Sequence, residues 1–440
     1  MKQNNRKTIL LINPPIYDFA AYDLWAKPLG LLYLSSILKQ QNINVEFFDY
    51  MDRRYPGILQ KKSNKYGCGH YIKEEIEKPE IIKNIKRKYH RFGIPKEIAE
   101  QFFNNIEVPD MIIITSIMTY WYLGVQEVAE ILKRIFPKTP IILGGIYASL
   151  CREHAKTIFG IDEIVSGSFK EFNCVFEKYN INADISFDFK SFPPPDYSFY
   201  NNKEYISLKT SIGCPFKCGY CAQYVLNNDT YNIKNPLIVK NEIDKLTDKN
   251  IKNVAFYDDA LLFNSDNTIK ILLKEFQKES KKFYFHTPNG LHARFLDQEL
   301  ADLMFNAKFI QPRFSLETSN IEEQKNSNNK VNNYEFERAI KYLCRAGYQE
   351  GEYTTYLLIG MPNQNINNVM ESIKFVHNLG SRVSLSEYSP IPYTRDWIFI
   401  DNDLKIDPLT QNNTYFISLN KNYDKILHIK EFAKELNNKL

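Results

Sequence analysis

A chain of 440 residues with 44% hydrophobic and 25% charged side chains has the composition of an ordinary globular protein, long enough for two domains or one large one. A net charge of +4, from 56 basic and 52 acidic residues, is too mild for the concentrated basic face that a nucleic-acid partner needs, and 20 prolines with 17 glycines are too few for a long disordered or fibrous stretch. No apolar run approaches the length of a membrane span, and Ile9–Ile12, ahead of Pro14 and Pro15, is too short for a signal peptide, so the chain is expected in the cytoplasm.

The first 170 or so residues alternate short apolar runs with amphipathic stretches. Residues 8–15, 44–50, 110–117, 139–145 and 162–168 read as strands. Behind Pro28, which suits a helix start, Leu29, Leu32, Tyr33 and Ile37 fall at helical spacing; Val125, Val128, Ile131, Leu132 and Ile135 mark a second helix. This alternation predicts an α/β domain over 1–190, a mostly parallel Rossmann-like sheet covered on both faces. Ligands of such sheets bind beyond the carboxyl ends of the strands. Those ends carry Asn13, Pro14 and Pro15, then Ser116 to Thr119, then Gly144 and Gly145. Residues 51–108 interrupt the alternation. Their mixed-charge stretch, basic at Lys86, Arg87 and Lys88, predicts a solvated helix; a lid or a substrate-contacting insertion is the sharper alternative.

The prolines of 193–196 mark a linker. The alternation then restarts over 198–395, with strands predicted at 205–211, 253–259, 282–288, 309–318, 353–360 and 382–390. One helical stripe runs from Phe336 through Ala339, Ile340, Leu343 and Cys344 to a stop at Gly347; another runs from Ile366 to Gly380. Six such units with right-handed crossovers predict an open (βα)6 partial TIM barrel, followed by a helical tail over 396–440.

Seven cysteines, an odd number in a reducing compartment, do not suggest a disulfide framework; metal binding is the default for any that cluster. Three do: Cys214, Cys218 and Cys221 lie in one loop after the first barrel strand, spaced C-x3-C-x2-C. Thiolates suit zinc, iron–sulfur clusters and copper(I). A structural zinc site wants a fourth ligand close by, and neither cysteine nor histidine lies within twenty residues on either side. A 4Fe-4S cluster held by three cysteines instead keeps one iron open to a substrate. Polar or special residues gather at the other barrel strand ends: Asp258 and Asp259, His286 and Asn289, Glu317, and Gly360 with Met361.

The cysteine loop, with aromatic Tyr220 before its last cysteine, resembles that of the radical S-adenosylmethionine superfamily. The resemblance implies that S-adenosylmethionine chelates the open iron and is cleaved reductively to a deoxyadenosyl radical, with an external electron donor such as flavodoxin or ferredoxin. It also implies a cofactor-binding set: Phe216 and Tyr220 in the loop, Asp258 or Asp259 toward the amino group, Glu317 toward the ribose, and Gly360 and Met361 against the adenine. Blander readings stand beside these: a helix N-cap for the aspartates, an ion pair for Glu317, a plain turn at Gly360, an interior histidine at 286, and structural roles for Cys68, Cys151, Cys174 and Cys344.

Residues 8–395 further resemble the branch of that superfamily in which a cobalamin-binding domain comes first. The resemblance rests on Asn13-Pro14-Pro15, on 28–34 including Leu29 and Gly30, on 144–149 and on 166–171, and it implies cobalamin near Asn13, Pro14, Pro15, Leu29, Gly30, Ser116, Thr119, Gly144 and Gly145. It lacks an Asp-x-His-x-x-Gly motif, so no histidine of that type can reach cobalt from below. The implied activity is methyl transfer to an unreactive carbon. The rivals are a radical enzyme without cobalamin, performing rearrangement, ring formation or sulfur insertion; a methylthiolating enzyme acting on transfer RNA; and a non-catalytic zinc-binding module.

Overall fold

Four consecutive apolar side chains, Ile9 to Ile12, are fully shielded from solvent, which requires a strand covered on both faces. In the computed structural model that strand, β1 (Thr8–Asn13), lies inside a five-stranded sheet. The structure describes residues 6–440 except 187, 228–229, 248–250, 280–282, 327 and 329. The other strands are β2 (Asn44–Asp49), β3 (Met111–Ile114), β4 (Ile141–Leu143) and β5 (Glu163–Ile164). All pair in parallel in the order β5-β4-β3-β1-β2, so the winding reverses between β1 and β3. Each buried Ile or Leu of β1 contributes about 1.5–3 kcal/mol of apolar burial.

The chain forms two units, residues 1–203 with 402–411, and residues 204–401 with 412–440. The expected tail therefore divides. Residues 402–411 make two short 3-10 turns in the first unit, where Leu409, Thr410 and Gln411 are buried. There the Tyr122 hydroxyl donates to the Asp407 carboxylate at 3.2 Å, and the Gln411 amide lies 3.7 Å from the Cys151 sulfur. The helices Asn413–Ser418 and Tyr423–Asn437 belong to the second unit.

The expectation of a solvated helix around Lys86–Lys88 fails. Those three residues are exposed, but they lie in a bend between a 3-10 turn (Glu80–Ile82) and a strand (Tyr89–Phe92). That strand joins Ile16–Asp18 and Lys73–Ile76 in an antiparallel sheet. Its Arg91 is 2% exposed, and its guanidinium donates to both carboxylate oxygens of Glu127 at 2.6–3.1 Å. A partner 36 residues away, invisible to a local charge pattern, turns a residue that looked solvated into a buried bidentate pair.

In the second unit six parallel strands follow one another: β6 (Tyr205–Leu208), β7 (Asn253–Phe256), β8 (Tyr284–His286), β9 (Arg313–Glu317), β10 (Thr354–Ile359) and β11 (Arg382–Glu387). They form two three-stranded ladders, β6-β7-β8 and β9-β10-β11, joined by single parallel bridges at Phe285–Phe309 and Leu291–Phe314. The barrel is open because, among the described residues, β6 and β11 do not pair. Its helices start and stop where the sequence requires. On Asn333–Ala346, Asn332 and Glu335 cap each other's backbone N–H groups, and Gly347 ends the helix at φ +118°. Cys344 is exposed on that helix rather than part of its buried stripe of Phe336, Ala339, Ile340 and Leu343, since it lies just past the core-facing arc. Among the described residues, no helix is long and apolar enough to cross a membrane.

Candidate metal and cofactor site

Strand β6 ends at Leu208, and the chain then enters the loop that carries the three cysteines. Two neighbouring aspartates at the end of β7 fix the start of that loop. Asp258 is 3% exposed and accepts four donors: the Thr210 and Ser211 backbone N–H groups at 2.5–3.1 Å and both of their hydroxyls at 2.7 Å. Burial pushes its carboxyl above the usual carboxylate range, and the hydrogen bonds from Thr210 and Ser211 oppose that shift. Asp259 accepts the Gly213 N–H at 3.1 Å and pairs with Lys209 at 3.5 Å. Gly213 itself has φ +90°, and a Cβ there would stand 1.9 Å from the Thr230 carbonyl. Both aspartates thus hold the loop through its backbone N–H groups, and neither caps a helix.

Within the loop, Cys218 is buried and Cys214 and Cys221 are partly so. Burial pushes the Cys214 thiol up to about 11 and the Cys221 thiol up to about 12, and raises Cys218 as well, while Lys330 pulls all three back down. The far side of the loop is closed by the backbone: the Asp396 N–H donates to the Gly219 carbonyl at 2.9 Å, and a Cβ on Gly219 would lie 2.3 Å from the Asp396 carboxylate. The three sulfurs are not gathered within 4.8 Å of one another. A single zinc ion, with Zn–S near 2.3 Å, would draw its sulfurs to about 3.8 Å. Among the described residues, the one trio of ligand atoms that is so gathered, Asp266, Asp297 and Glu299, surrounds the Lys270 ammonium at 2.6–3.0 Å.

Glu317 reaches the loop from the end of β9. A bulge interrupts the β9 register between Ser315 and Glu317, and Glu317 adopts φ +68°. Its Oε1 accepts the Tyr220 hydroxyl and the Lys330 ammonium, both at 3.0 Å. Phe216 packs 5.2 Å from the His292 ring and 5.9 Å from Phe295. His292 is 2% exposed and its Nδ1 has no hydrogen-bond partner among the described residues; burial, Lys330 and Arg294 hold the imidazole neutral. Lys330 and His292 were not legible as site residues. Both lie in irregular segments with no periodicity or motif. Gly360, at φ +87°, and half-buried Met361 form a turn whose N–H groups donate to the Gln364 side chain, and a Cβ on Gly360 would strike Ile417 at 2.7 Å. The turn explains that glycine without a ligand.

His286 is an interior residue. It is fully buried, with Nε2 3.0 Å from Asn253 Oδ1, and burial, with help from Arg313, lowers its pKa to about 3. The unfolded chain therefore binds a proton between about pH 6.5 and 3 that the folded chain refuses, and stability falls as pH drops through that window. Urea unfolding at pH 7 and pH 4 is expected to differ by about 2–4 kcal/mol from this group. His286→Leu should remove that share of the pH dependence; an unchanged difference between wild type and variant would exclude it.

At the carboxyl ends of the first unit's strands, the Asn13 amide donates to Asp49 at 2.7 Å, and Asp49 also accepts the Tyr200 hydroxyl at 2.6 Å. Pro14 and Pro15 pack on Gly124, where a Cβ would meet the Pro15 carbonyl at 1.9 Å. Ser116 is buried, its hydroxyl on the Met118 carbonyl at 2.9 Å, and Thr119 is buried. Gly145 takes φ +89° against Thr115 and Ser116. Gly144 and Leu29 are buried, while Gly30, Gly145 and Gly167 are exposed, and a Cβ on Gly30 would find only the Phe169 ring, at 3.9 Å.

Residues 208–376 match the model of the radical SAM superfamily. The chain is 30% identical over 148 residues to an uncharacterized methyltransferase, sll1242, of Synechocystis sp.; the match covers 32% of this chain and 27% of that relative, so the chain spans about a quarter of its length. The solved structure of the radical S-adenosylmethionine methyltransferase TsrM from Kitasatospora setae, with tryptophan substrate and a S-adenosylmethionine analogue bound, is similar with a TM-score of 0.66 at 16% identity, over 90% of this chain and 76% of that one. The cobalamin-dependent radical enzyme OxsB with aqua-cobalamin bound is similar with a TM-score of 0.60 at 13% identity, over 98% and 62%. The barrel, its cysteine loop and these likenesses agree: residues 208–376 are a domain of the radical SAM superfamily, carried in a chain with the fold of TsrM and OxsB.

Proposed function

We propose that this protein is a radical S-adenosylmethionine enzyme that holds a 4Fe-4S cluster on Cys214, Cys218 and Cys221 and, with cobalamin on its first unit, transfers a methyl group to an unreactive carbon of a small molecule. The cysteine trio carries the reading. It lies on one loop at the carboxyl end of the barrel, with sulfurs spread wider than one ion demands, and the only other cysteine of that unit, Cys344, is on an outer helix. Three thiolates leave one iron of such a cluster without a protein ligand. Bound there, the cluster supplies that open position and the electron for reductive cleavage of S-adenosylmethionine. The chain does the rest. Asp258 and Asp259 anchor the loop, and Tyr220 ties it to Glu317. The high thiol pKa values mean that protons must leave as the cluster assembles, so reconstitution is favoured at alkaline pH.

Cobalamin fits the first unit by shape. The sheet reverses its winding between β1 and β3, where such sheets take their ligands, and exposed Gly30, Gly145 and Gly167 with the Phe169 ring make a low bed there. Bound, it supplies a carrier for the methyl group. The cytoplasm, and an external one-electron donor of the flavodoxin or ferredoxin kind, complete the proposal. The test is anaerobic reconstitution with iron, sulfide and cobalamin, followed by dithionite and S-adenosylmethionine. Deoxyadenosine together with S-adenosylhomocysteine is the expected result, whereas deoxyadenosine from protein that retains no cobalamin would leave the radical enzyme and remove the methyl transfer. Gly30→Phe, tolerated by the helix backbone, should cut cobalamin retention roughly tenfold, about 1.4 kcal/mol, with iron content and melting temperature unchanged.

A further inference from the structure

Between Cys214 and Cys221 only Cys218 and Gly219 are buried, while Pro215 and Lys217 beside them are exposed. The cover comes from a segment that follows β11. The Asp396 N–H donates to the Gly219 carbonyl at 2.9 Å, and the place where a Gly219 side chain would begin lies 2.3 Å from the Asp396 carboxylate and 2.8 Å from the Arg395 guanidinium. Further ties hold the segment down. The Arg395 guanidinium donates to the Asn328 side-chain carbonyl at 3.2 Å, and the Asn328 amide donates to the Lys217 carbonyl. The Tyr224 hydroxyl donates to the Tyr393 carbonyl at 3.0 Å. All of these ties are polar. The turn Arg395–Phe399 buries none of its residues, and Ile398 and Phe399 are 71% and 56% exposed. Buried Thr394 and Ile400 fix its two ends. A short element held by exposed hydrogen bonds rather than by apolar burial opens at low cost.

We propose, on the cluster reading above, that residues 395–399 are a strap that lifts to let iron reach Cys218 and closes again over the loaded loop. A thiol that ligates iron releases its proton to solvent as the bond forms, and a cysteine only 5% exposed cannot make that exchange while the loop is covered. Cys214 and Cys221 are half-buried and need no such motion. Lifting breaks the Asp396–Gly219 and Arg395–Asn328 hydrogen bonds, and water takes the place of each partner, so the net loss is small. Ile398 and Phe399 already face solvent with the strap down and add little to that cost. On closing, the first of these bonds pins the Gly219 carbonyl, in the stretch between Cys218 and Cys221, and so fixes the backbone that spaces the two sulfurs.

The experiment is timed alkylation of the metal-free full-length protein with iodoacetamide, read cysteine by cysteine by peptide mass spectrometry. In the wild type Cys218 should react more slowly than Cys214 and Cys221. Asp396→Pro removes the N–H that meets Gly219, and Arg395→Ala removes the tie to Asn328. Each should speed Cys218 roughly tenfold, while Cys68, buried in the first unit, keeps its rate. An unchanged Cys218 rate in both variants overturns the strap. Should Cys68 speed up as well, the variant has lost its fold, and hydrogen exchange of the wild type decides: an Asp396 amide that exchanges before those of β11 supports the strap, and equal protection overturns it. Iron uptake during reconstitution is then timed, and the variants should load faster than the wild type. Faster alkylation with no faster loading overturns the gating. Protein whose Cys218 responds as expected, yet which takes up no iron, defeats the cluster reading instead.

Discussion

Cys218→Ala is expected to yield folded protein with no iron–sulfur absorption after reconstitution and no deoxyadenosine above background from S-adenosylmethionine. The residue is 5% exposed, so losing its sulfur leaves a small cavity costing about 1 kcal/mol, too little to unfold a chain of this size. Losing it as a ligand is another matter, because with two thiolates one more iron is stripped of protein support. The melting temperature and the absorption band separate the two effects. A variant that kept both band and product would refute the assignment of the trio.

The second large effect is expected at Asp258. Its alanine variant leaves two buried backbone N–H groups and two hydroxyls without their acceptor, which costs on the order of 3–5 kcal/mol and loosens the entry to the cysteine loop. The melting temperature should fall by several degrees, and iron per chain should fall with it. The carboxylate also invites a reading as the partner of the S-adenosylmethionine amino group. That role predicts the reverse pattern, with stability and iron content retained and only the KM for S-adenosylmethionine raised. Measuring all three quantities on one preparation decides between them.

Much of this architecture is legible in the residues. Ile9–Ile12 and Met111–Ile114 are too uniformly apolar to be anything but strands covered on both faces, and the glycine after Ala346 stops its helix as the pattern says. The cysteine spacing is legible because a short loop is enough to define it. What escapes is whatever depends on a distant partner. Arg91 reads as solvated until Glu127 is brought to it, and nothing local to Asp258 shows that Thr210 and Ser211, nearly fifty residues earlier, donate to its carboxylate. Lys330 carries no pattern at all, because a single charge in an irregular segment has meaning only through Glu317 and Tyr220.

The return of residues 402–411 to the first unit has a consequence for biosynthesis. A ribosome adding about 5–20 residues per second needs roughly 10–40 s to make the 198 residues from 204 to 401 that separate the two pieces of that unit. Throughout that interval the nascent sheet waits for Asp407 and Gln411, the partners of Tyr122 and Cys151, while the barrel is translated in full behind it.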